Sequence, residues 1–231
     1  FAVELGYAGY PEMQKHLQEL VRNKLTSVQR IEVASDQLNN QDVVGSVLQR
    51  DANAIRMTSE ALDRDQMAKS VEAILRARYI YIVGVRSSAA LAAYLNFYFR
   101  NIFDNVRLIS STATSEMFEQ LLRVGKDDVV IGISLPRYSS RTVKVLQYAR
   151  ASGATVITIT DKPEAPGGKV ADYVLCAKSN MVSVVDSLVA PMSVINALVV
   201  SIGIRQESRV AKTFEDLERL WDEYDAFERV E

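Results

Sequence analysis

The chain has 231 residues, 48% hydrophobic and 24% charged, with a formal net charge of −2 at pH 7 and one cysteine, Cys176. A chain of this size and composition buries a sizeable core in one large domain, alone or with a helical appendage, and is neither disordered nor fibrous. The balanced charge gives no global basic field for nucleic acid, one cysteine excludes an intrachain disulfide framework, and no run approaches the roughly 18 apolar residues of a membrane span, so a cytoplasmic chain with no membrane partner is expected.

The chain opens Phe1-Ala2-Val3-Glu4, without Met, a basic n-region or a long apolar core, and a helix-like pattern is already under way at its first residue. It therefore reads as a fragment with an upstream segment missing. From Pro11 to about Leu75 the pattern is helical. Met13, Leu17, Leu20, Val21 and Leu25 recur at three and four residues, and Val43, Val44, Val47, Leu48, Ala52 and Ile55 repeat the idea. Asp36 and Asp65 are candidate helix starts, the second opening a helix that carries Ala68, Val71, Ile74 and Leu75 toward a core. About three helices are expected before any strand.

From Tyr79 the texture changes to short β-branched runs that alternate with amphipathic helices: Tyr79–Val83, Val106–Ser110, Asp128–Ser134, Thr155–Thr160 and Tyr173–Cys176. Strands separated by helices imply right-handed βαβ units and a parallel sheet. The fold class read here is α/β, a five-stranded parallel doubly wound sheet preceded by an α-helical segment, with strand order 2-1-3-4-5 taken as its arrangement. Asp186–Ile204, apolar almost all round, forms a helix over one face of the sheet. Thr213–Glu228, acidic but carrying Leu217, Leu220, Trp221 and Phe227, forms a terminal amphipathic helix in which Trp221 and Tyr224 pack. The expected divisions are 1–75, 76–205 and 206–231.

Two hydroxyl-rich turns follow the first and third strands: Gly84-Val85-Arg86-Ser87-Ser88, and Ser134-Leu135-Pro136-Arg137-Tyr138-Ser139-Ser140-Arg141-Thr142. A strand that ends in small polar residues and then opens a helix brings hydroxyls and unpaired backbone N–H groups together, which suits phosphate or another anion. In order 2-1-3-4-5 the strand order reverses between the first and third strands, where doubly wound sheets bind ligands. Topology and composition thus nominate the same residues for one composite site: Ser87, Ser88, Ser134, Ser139, Ser140 and Thr142, with Arg86 and Arg137 beside the helix starts to recognise an anion by paired hydrogen bonds. Each hydroxyl has a second reading as a helix cap, and each arginine a second reading as solvated surface. Ser187 is open between cap and ligand contact, and Cys176 reads as a small buried apolar residue.

These segments resemble a SIS (sugar isomerase) phosphosugar-binding domain over roughly Ile74 to Ile204. The likeness lies in Ile82-Val83-Gly84 to Ser88-Ala89-Ala90, Val130-Ile131-Gly132-Ile133-Ser134 to Ser139, and Asp186-Ser187-Leu188-Val189-Ala190-Pro191. The run Phe1 to Glu12 resembles the tail of the helix-turn-helix domain of RpiR/MurR-type transcription factors. The resemblance implies a flavodoxin-like SIS fold, with 1–75 as the helix-turn-helix tail and linker helices, 76–205 as the phosphosugar-binding domain and 206–231 as a C-terminal helix. It also implies a sugar-phosphate-responsive regulator that reaches DNA through the missing N-terminal domain, and a homodimer or homotetramer. Phosphosugar contacts carried over by position fall on Ser87, Ser88, Ser134 and Ser139. The chain departs from the pattern where Arg86 replaces a usual glycine and Pro136-Arg137 replaces a Ser-Gly pair.

The alternative is a phosphosugar aldose–ketose isomerase, which must move a proton between adjacent carbons. His16 lies outside the SIS-like region, and Glu116 and Glu119, after the second strand, are the remaining candidate bases, with a solvated helix face as their plainer reading. No metal-ligand spacing and no GxxxxGK[ST] motif is present, so no cofactor is expected.

Overall fold

Five short aliphatic runs form one parallel sheet: β1 (Ile80–Gly84), β2 (Val106–Ile109), β3 (Val129–Ile133), β4 (Thr155–Thr160) and β5 (Tyr173–Cys176), in the order β2-β1-β3-β4-β5. The computed structural model describes residues 1–11, 13, 14, 17, 26, 28, 29, 31, 32, 42–111, 113–179 and 185–227. The strands fall within a residue or two of the runs read from sequence, and the order is the one assumed there. Leu20, Val21, Leu25, Asp36 and His16 lie outside the described residues.

Helices cover both faces of the sheet, as a parallel sheet requires. Leu108, Ile82, Ile131 and Ile157 stand side by side across the strands. They belong to a core completed by α2 (Arg64–Arg76), α3 (Ser88–Ile102) and α6 (Val189–Arg205), through residues such as Val71, Ile74, Leu91, Leu95, Phe99, Val194 and Leu198. The next residues along each strand point the other way. Tyr81, Val83, Val130 and Val156 pack against Met117 of α4 (Thr114–Gln120) and against Val145, Leu146 and Ala149 of α5 (Ser140–Ala151). Gly132 belongs to this face because a Cβ there would lie 2.6 to 3.0 Å from the Leu146 side chain. Glycine lets α5 seat directly on β3.

The appended helices are tied to the β5 edge. In α1 (Val43–Ala61) the docking surface is Ala54 and Thr58, while Val43, Val44 and Leu48 remain exposed. The helix read from sequence is therefore present, but its apolar stripe is largely not what packs. Thr58 Oγ1 accepts the Lys178 N–H at 2.9 Å, and Gln66 Oε1 of α2 accepts the Val174 N–H at 3.0 Å. Side chains thus satisfy edge-strand donors and blunt an edge that would otherwise template pairing. The start of α2 is capped by Asp63, whose Oδ1 accepts from the N–H groups of Asp65 and Gln66, so Asp65 sits inside the first turn rather than opening the helix.

The C-terminal helices also shift from the sequence reading. α6 begins at Val189 rather than Asp186, and α7 spans Glu207–Glu223 rather than starting at Thr213, with a 100° bend between them. Trp221 meets Phe214 and Phe227 edge-on, but Tyr224 is exposed, contrary to the expectation that it packs. Among the described residues no single helix is long and apolar enough to cross a membrane.

At the amino ends of β1 and β3, Arg78 grips the buried Asp128 through Nε–Oδ1 (3.0 Å) and Nη2–Oδ2 (2.7 Å), and Oδ2 also accepts the Gly125 N–H at 2.9 Å. Burial pushes the Asp128 carboxyl up, but the hydrogen bonds from Arg78 and the backbone outweigh it and hold the group below the usual carboxylate range. Asp128→Asn keeps the shape and removes the charge, and is expected to lower the melting temperature at pH 7. A depressed carboxyl stabilises the fold above its unfolded pKa of about 4 and loses that contribution as pH falls through its lower folded value. In thermal denaturation the gap between parent and variant should therefore close on acidification below about pH 4; a gap that stays constant with pH would contradict this assignment.

Candidate functional site

A crevice of about 590 Å³ opens at the carboxyl ends of β1 and β3, where the strand order reverses. Its size lies within the ordinary range for small-molecule sites. Three chain segments line it: Val85, Arg86, Ser87 and Ser88 after β1; Ile133 to Arg137 and Ser139 after β3; and Val185, Asp186 and Leu188 ahead of α6. Arg86, Ser87, Ser88, Ser134, Arg137 and Ser139, named from sequence, meet here. Ser140 and Thr142 do not line it. Ser140 is exposed as the first residue of α5, and Thr142 is buried as its third.

The crevice exists because β1 and β3 are neighbours whose helices leave toward opposite faces. α3 starts under one side and α5 under the other, so two helix N-termini diverge around the opening. Their leading N–H groups carry the positive end of each helix dipole. Ser87 and Ser139 occupy the N-cap positions, yet neither side chain makes a capping hydrogen bond. The capping alternative is thus not what these two hydroxyls do. Gly84 permits the close approach of strand and helix, since a Cβ there would meet the Ser88 carbonyl at 2.6 Å.

The Ser134 hydroxyl, 2% exposed, has no hydrogen-bond partner, and the Thr142 hydroxyl is also buried without one. Burying a hydroxyl unpaired costs about 1–3 kcal/mol, so such groups are rare in folded proteins. Ser134 lines the crevice, which places its unmet bonding capacity where a ligand would sit. Thr142 does not line the crevice, and nothing in the structure explains its lack of a partner.

Arg86 and Arg137 both hold left-handed backbone, with φ of +58° and +65°. This conformation is ordinarily glycine's, and Arg86 and Arg137 are residues read from the sequence as departures from the SIS resemblance. A non-glycine residue there costs on the order of 1 kcal/mol and persists only when its surroundings enforce it.

Sequence reasoning missed Asp186 and Leu188 as crevice residues. Their segment carries the Asp186-to-Pro191 run of the SIS-like pattern, but only tertiary structure sets it beside the first and third turns, and no local pattern encodes that placement. Ser187, between them, is buried. Its hydroxyl donates to Asp51 Oδ1 of α1 at 2.5 Å and accepts the Val189 N–H at 3.4 Å. It therefore ties the crevice wall to the appended helix. Glu116 and Glu119 are exposed and do not line the crevice; Glu116 is hydrogen-bonded by the Ser111 hydroxyl. Cys176 is only half-buried, and burial pushes its thiol up. No group of carboxylates, histidines and cysteines among the described residues is arranged to hold a metal ion.

A family model described as SIS domain matches residues 73–201. The chain belongs to the SIS domain family. Its fold is similar to that of the sugar isomerase domain of an RpiR transcription factor from Sphaerobacter thermophilus, with a TM-score of 0.74 and 26% identity over 78% of this chain and 99% of that one. It is also similar to the Vibrio vulnificus NanR protein complexed with ManNAc-6P, at a TM-score of 0.68 and 17% identity over 95% of this chain and 79% of that one, a likeness of fold alone. In sequence it is 25% identical over 176 residues to an uncharacterised HTH-type transcriptional regulator of Clostridium perfringens, and 27% identical over 187 residues to one of Caldanaerobacter subterraneus. These matches take in 76% and 78% of this chain but 62% and 66% of the relatives, so the SIS chain spans under two thirds of either.

The left-handed positions give a direct test of the backbone. Arg86→Val and Arg137→Val place a β-branched residue where φ is positive and should each lower stability by about 1–3 kcal/mol, whereas Arg86→Gly and Arg137→Gly should be tolerated. Denaturant unfolding that ranks valine and glycine variants equally would show that these turns do not hold the stated conformation.

Proposed function

We propose that this chain is the effector-sensing part of a DNA-binding transcriptional regulator of the RpiR/MurR type, and that its crevice takes a phosphosugar. In this reading residues 1–75 comprise the tail of the DNA-binding domain and linker helices, 76–205 the sensing domain and 206–231 a terminal helix. The observation that carries the proposal is the buried, unpartnered Ser134 hydroxyl between two diverging helix N-termini. A phosphate offers several acceptor oxygens. One accepts from Ser134, while others accept from the Ser88 and Ser139 hydroxyls and from the leading N–H groups of α3 and α5. The similarity to HTH-type regulators supports the regulatory role, and the NanR protein complexed with ManNAc-6P supports the ligand class.

Ligand occupancy reaches the N-terminal side through the Ser187–Asp51 hydrogen bond, which joins the wall segment Asp186–Leu188 to α1. A ligand shifts such a link only if it binds one arrangement of that wall better than the other. The exposed apolar side chains Val43, Val44 and Leu48 of α1, with Val200 and Ile204 of α6, are surface that a second copy would cover, in keeping with a cytoplasmic dimer or tetramer.

Isomerisation would need a base above the sugar carbons. Glu116 and Glu119 are not in the crevice, so the carboxylate there, among the described lining residues, is Asp186. Turnover in a coupled aldose–ketose assay that disappears in Asp186→Asn would overturn the non-catalytic reading.

Ser134→Ala separates ligand binding from folding. Removing an unpartnered buried hydroxyl should leave the ligand-free protein as stable as the parent or more so, while weakening the best phosphosugar by about 10- to 100-fold, the worth of a hydrogen bond to a charged group. Calorimetry with a phosphosugar panel and thermal denaturation without ligand measure the two effects; unchanged affinity would remove Ser134 from the site. Asp51→Ala, tested in the full-length protein, should keep phosphosugar affinity but abolish the change in operator affinity that the ligand produces in the parent. A retained ligand response would break the proposed link.

A further inference from the structure

We propose that the cleft between the β5 edge and the junction of α1 with α2 is a second small-molecule site, separate from the crevice, and that it takes a free amino acid with an apolar side chain. The cleft has a volume of about 420 Å³, within the ordinary range for small-molecule sites. It lies where the end of α1 and the start of α2 meet β5 and the turn after β4. This site is independent of the phosphosugar reading of the crevice.

Folding has used some of the polar groups around the cleft and left others. Asp172 is paired with Arg150, and Asp63 accepts two N–H groups as the cap of α2. Gln66 and Thr58 accept the N–H groups of Val174 and Lys178. Alternate residues of a strand point their N–H groups the same way, so the Cys176 N–H lies between those two on the same edge, and no described residue accepts it. Lys162 and Lys178 line the cleft half-buried, and neither ammonium forms an ion pair among the described residues. Asp161 accepts the hydroxyls of Tyr138 at 2.8 Å and Thr160 at 3.3 Å, both neutral groups, and meets no cation among the described residues.

One carboxylate, two ammonium groups and an edge N–H are thus left over beside the apolar lining of Ala61, Pro163 and Val174. A simple anion would leave the Asp161 charge unmet, and a simple amine would leave the lysines unmet. An amino acid answers both. Its carboxylate accepts from the Cys176 N–H and pairs with the lysines, and its ammonium donates to Asp161, whose carboxylate has lone pairs beyond those the two hydroxyls use. Its side chain covers Ala61, Pro163 and Val174.

The test is calorimetry and thermal denaturation of this chain with L-alanine, L-valine, L-leucine, L-isoleucine, L-methionine and L-phenylalanine. At least one should bind and raise the melting temperature. Its counterparts without the ammonium or without the carboxylate, for leucine 4-methylpentanoate and 3-methylbutylamine, should bind about tenfold or more weakly. Asp161→Asn, which can still accept the Tyr138 hydroxyl, and the double variant Lys162→Gln/Lys178→Gln should each weaken the amino acid by about tenfold or more, while Ser134→Ala in the crevice leaves its affinity unchanged. Melting temperatures without ligand check folding, and because the lysines make no ion pair the double variant decides the matter even if Asp161→Asn unfolds. No binding by any of these amino acids, a counterpart that binds equally well, affinity unchanged in a folded cleft variant, or affinity lost in Ser134→Ala would overturn the assignment.

Discussion

The structure depends on one topological constraint: β1 and β3 are adjacent and parallel, and the helices that follow them leave for opposite faces of the sheet. Nothing can then fill the space above their carboxyl ends from within either βαβ unit. The two chain segments that leave those ends must turn there, and both turn into helices whose first N–H groups have no partner in the helix. A site with positive potential and unused donors is thus a consequence of strand order before any side chain is considered. The side chains refine it. Serines supply hydroxyls that do not cap, and glycine at 84 lets strand and helix close to near contact.

The two ends of the sheet differ in how fully their polar groups are satisfied. At the amino ends, Asp128 is buried with Arg78 and a backbone N–H bonded to it. At the carboxyl ends, the Ser134 hydroxyl is buried with no partner, and two arginines hold backbone that suits glycine. Folding alone favours the first arrangement and disfavours the second. Ser134, Arg86 and Arg137 gather such local inconsistencies at one crevice, as expected of a scaffold that carries a site there. The wall segment before α6 adds communication, because Ser187 bonds outward to Asp51 while its neighbours face the crevice.

Much of this was legible in the sequence. The β-branched runs gave the strands nearly to the residue, since a parallel strand buried on both faces must be continuously apolar. The turns were readable because strand ends rich in serine announce themselves. Four things were not. Asp65 has the same chemistry as Asp63, and only geometry decides which caps α2. The apolar residues of α1 suggested a packed stripe, but the helix docks through Ala54 and Thr58 at a sheet edge whose donors are invisible in sequence. Asp186 reaches the crevice through a tertiary path, so no local pattern marks it. Arg86 and Arg137 were visible as departures from a pattern, but their left-handed backbone was not, and that conformation makes the departure costly.

The central claim is that the crevice between the β1 and β3 turns receives the phosphate of an anionic sugar through the Ser134 hydroxyl. The most direct measurement is a crystal grown with a mixture of sugar phosphates, with difference density inspected across residues 84–88 and 134–142. The account predicts density for a phosphate within hydrogen-bonding distance of Ser134 Oγ and the leading N–H groups of α3 and α5. A crevice holding only water at saturating ligand, or ligand bound elsewhere on the molecule, would contradict it.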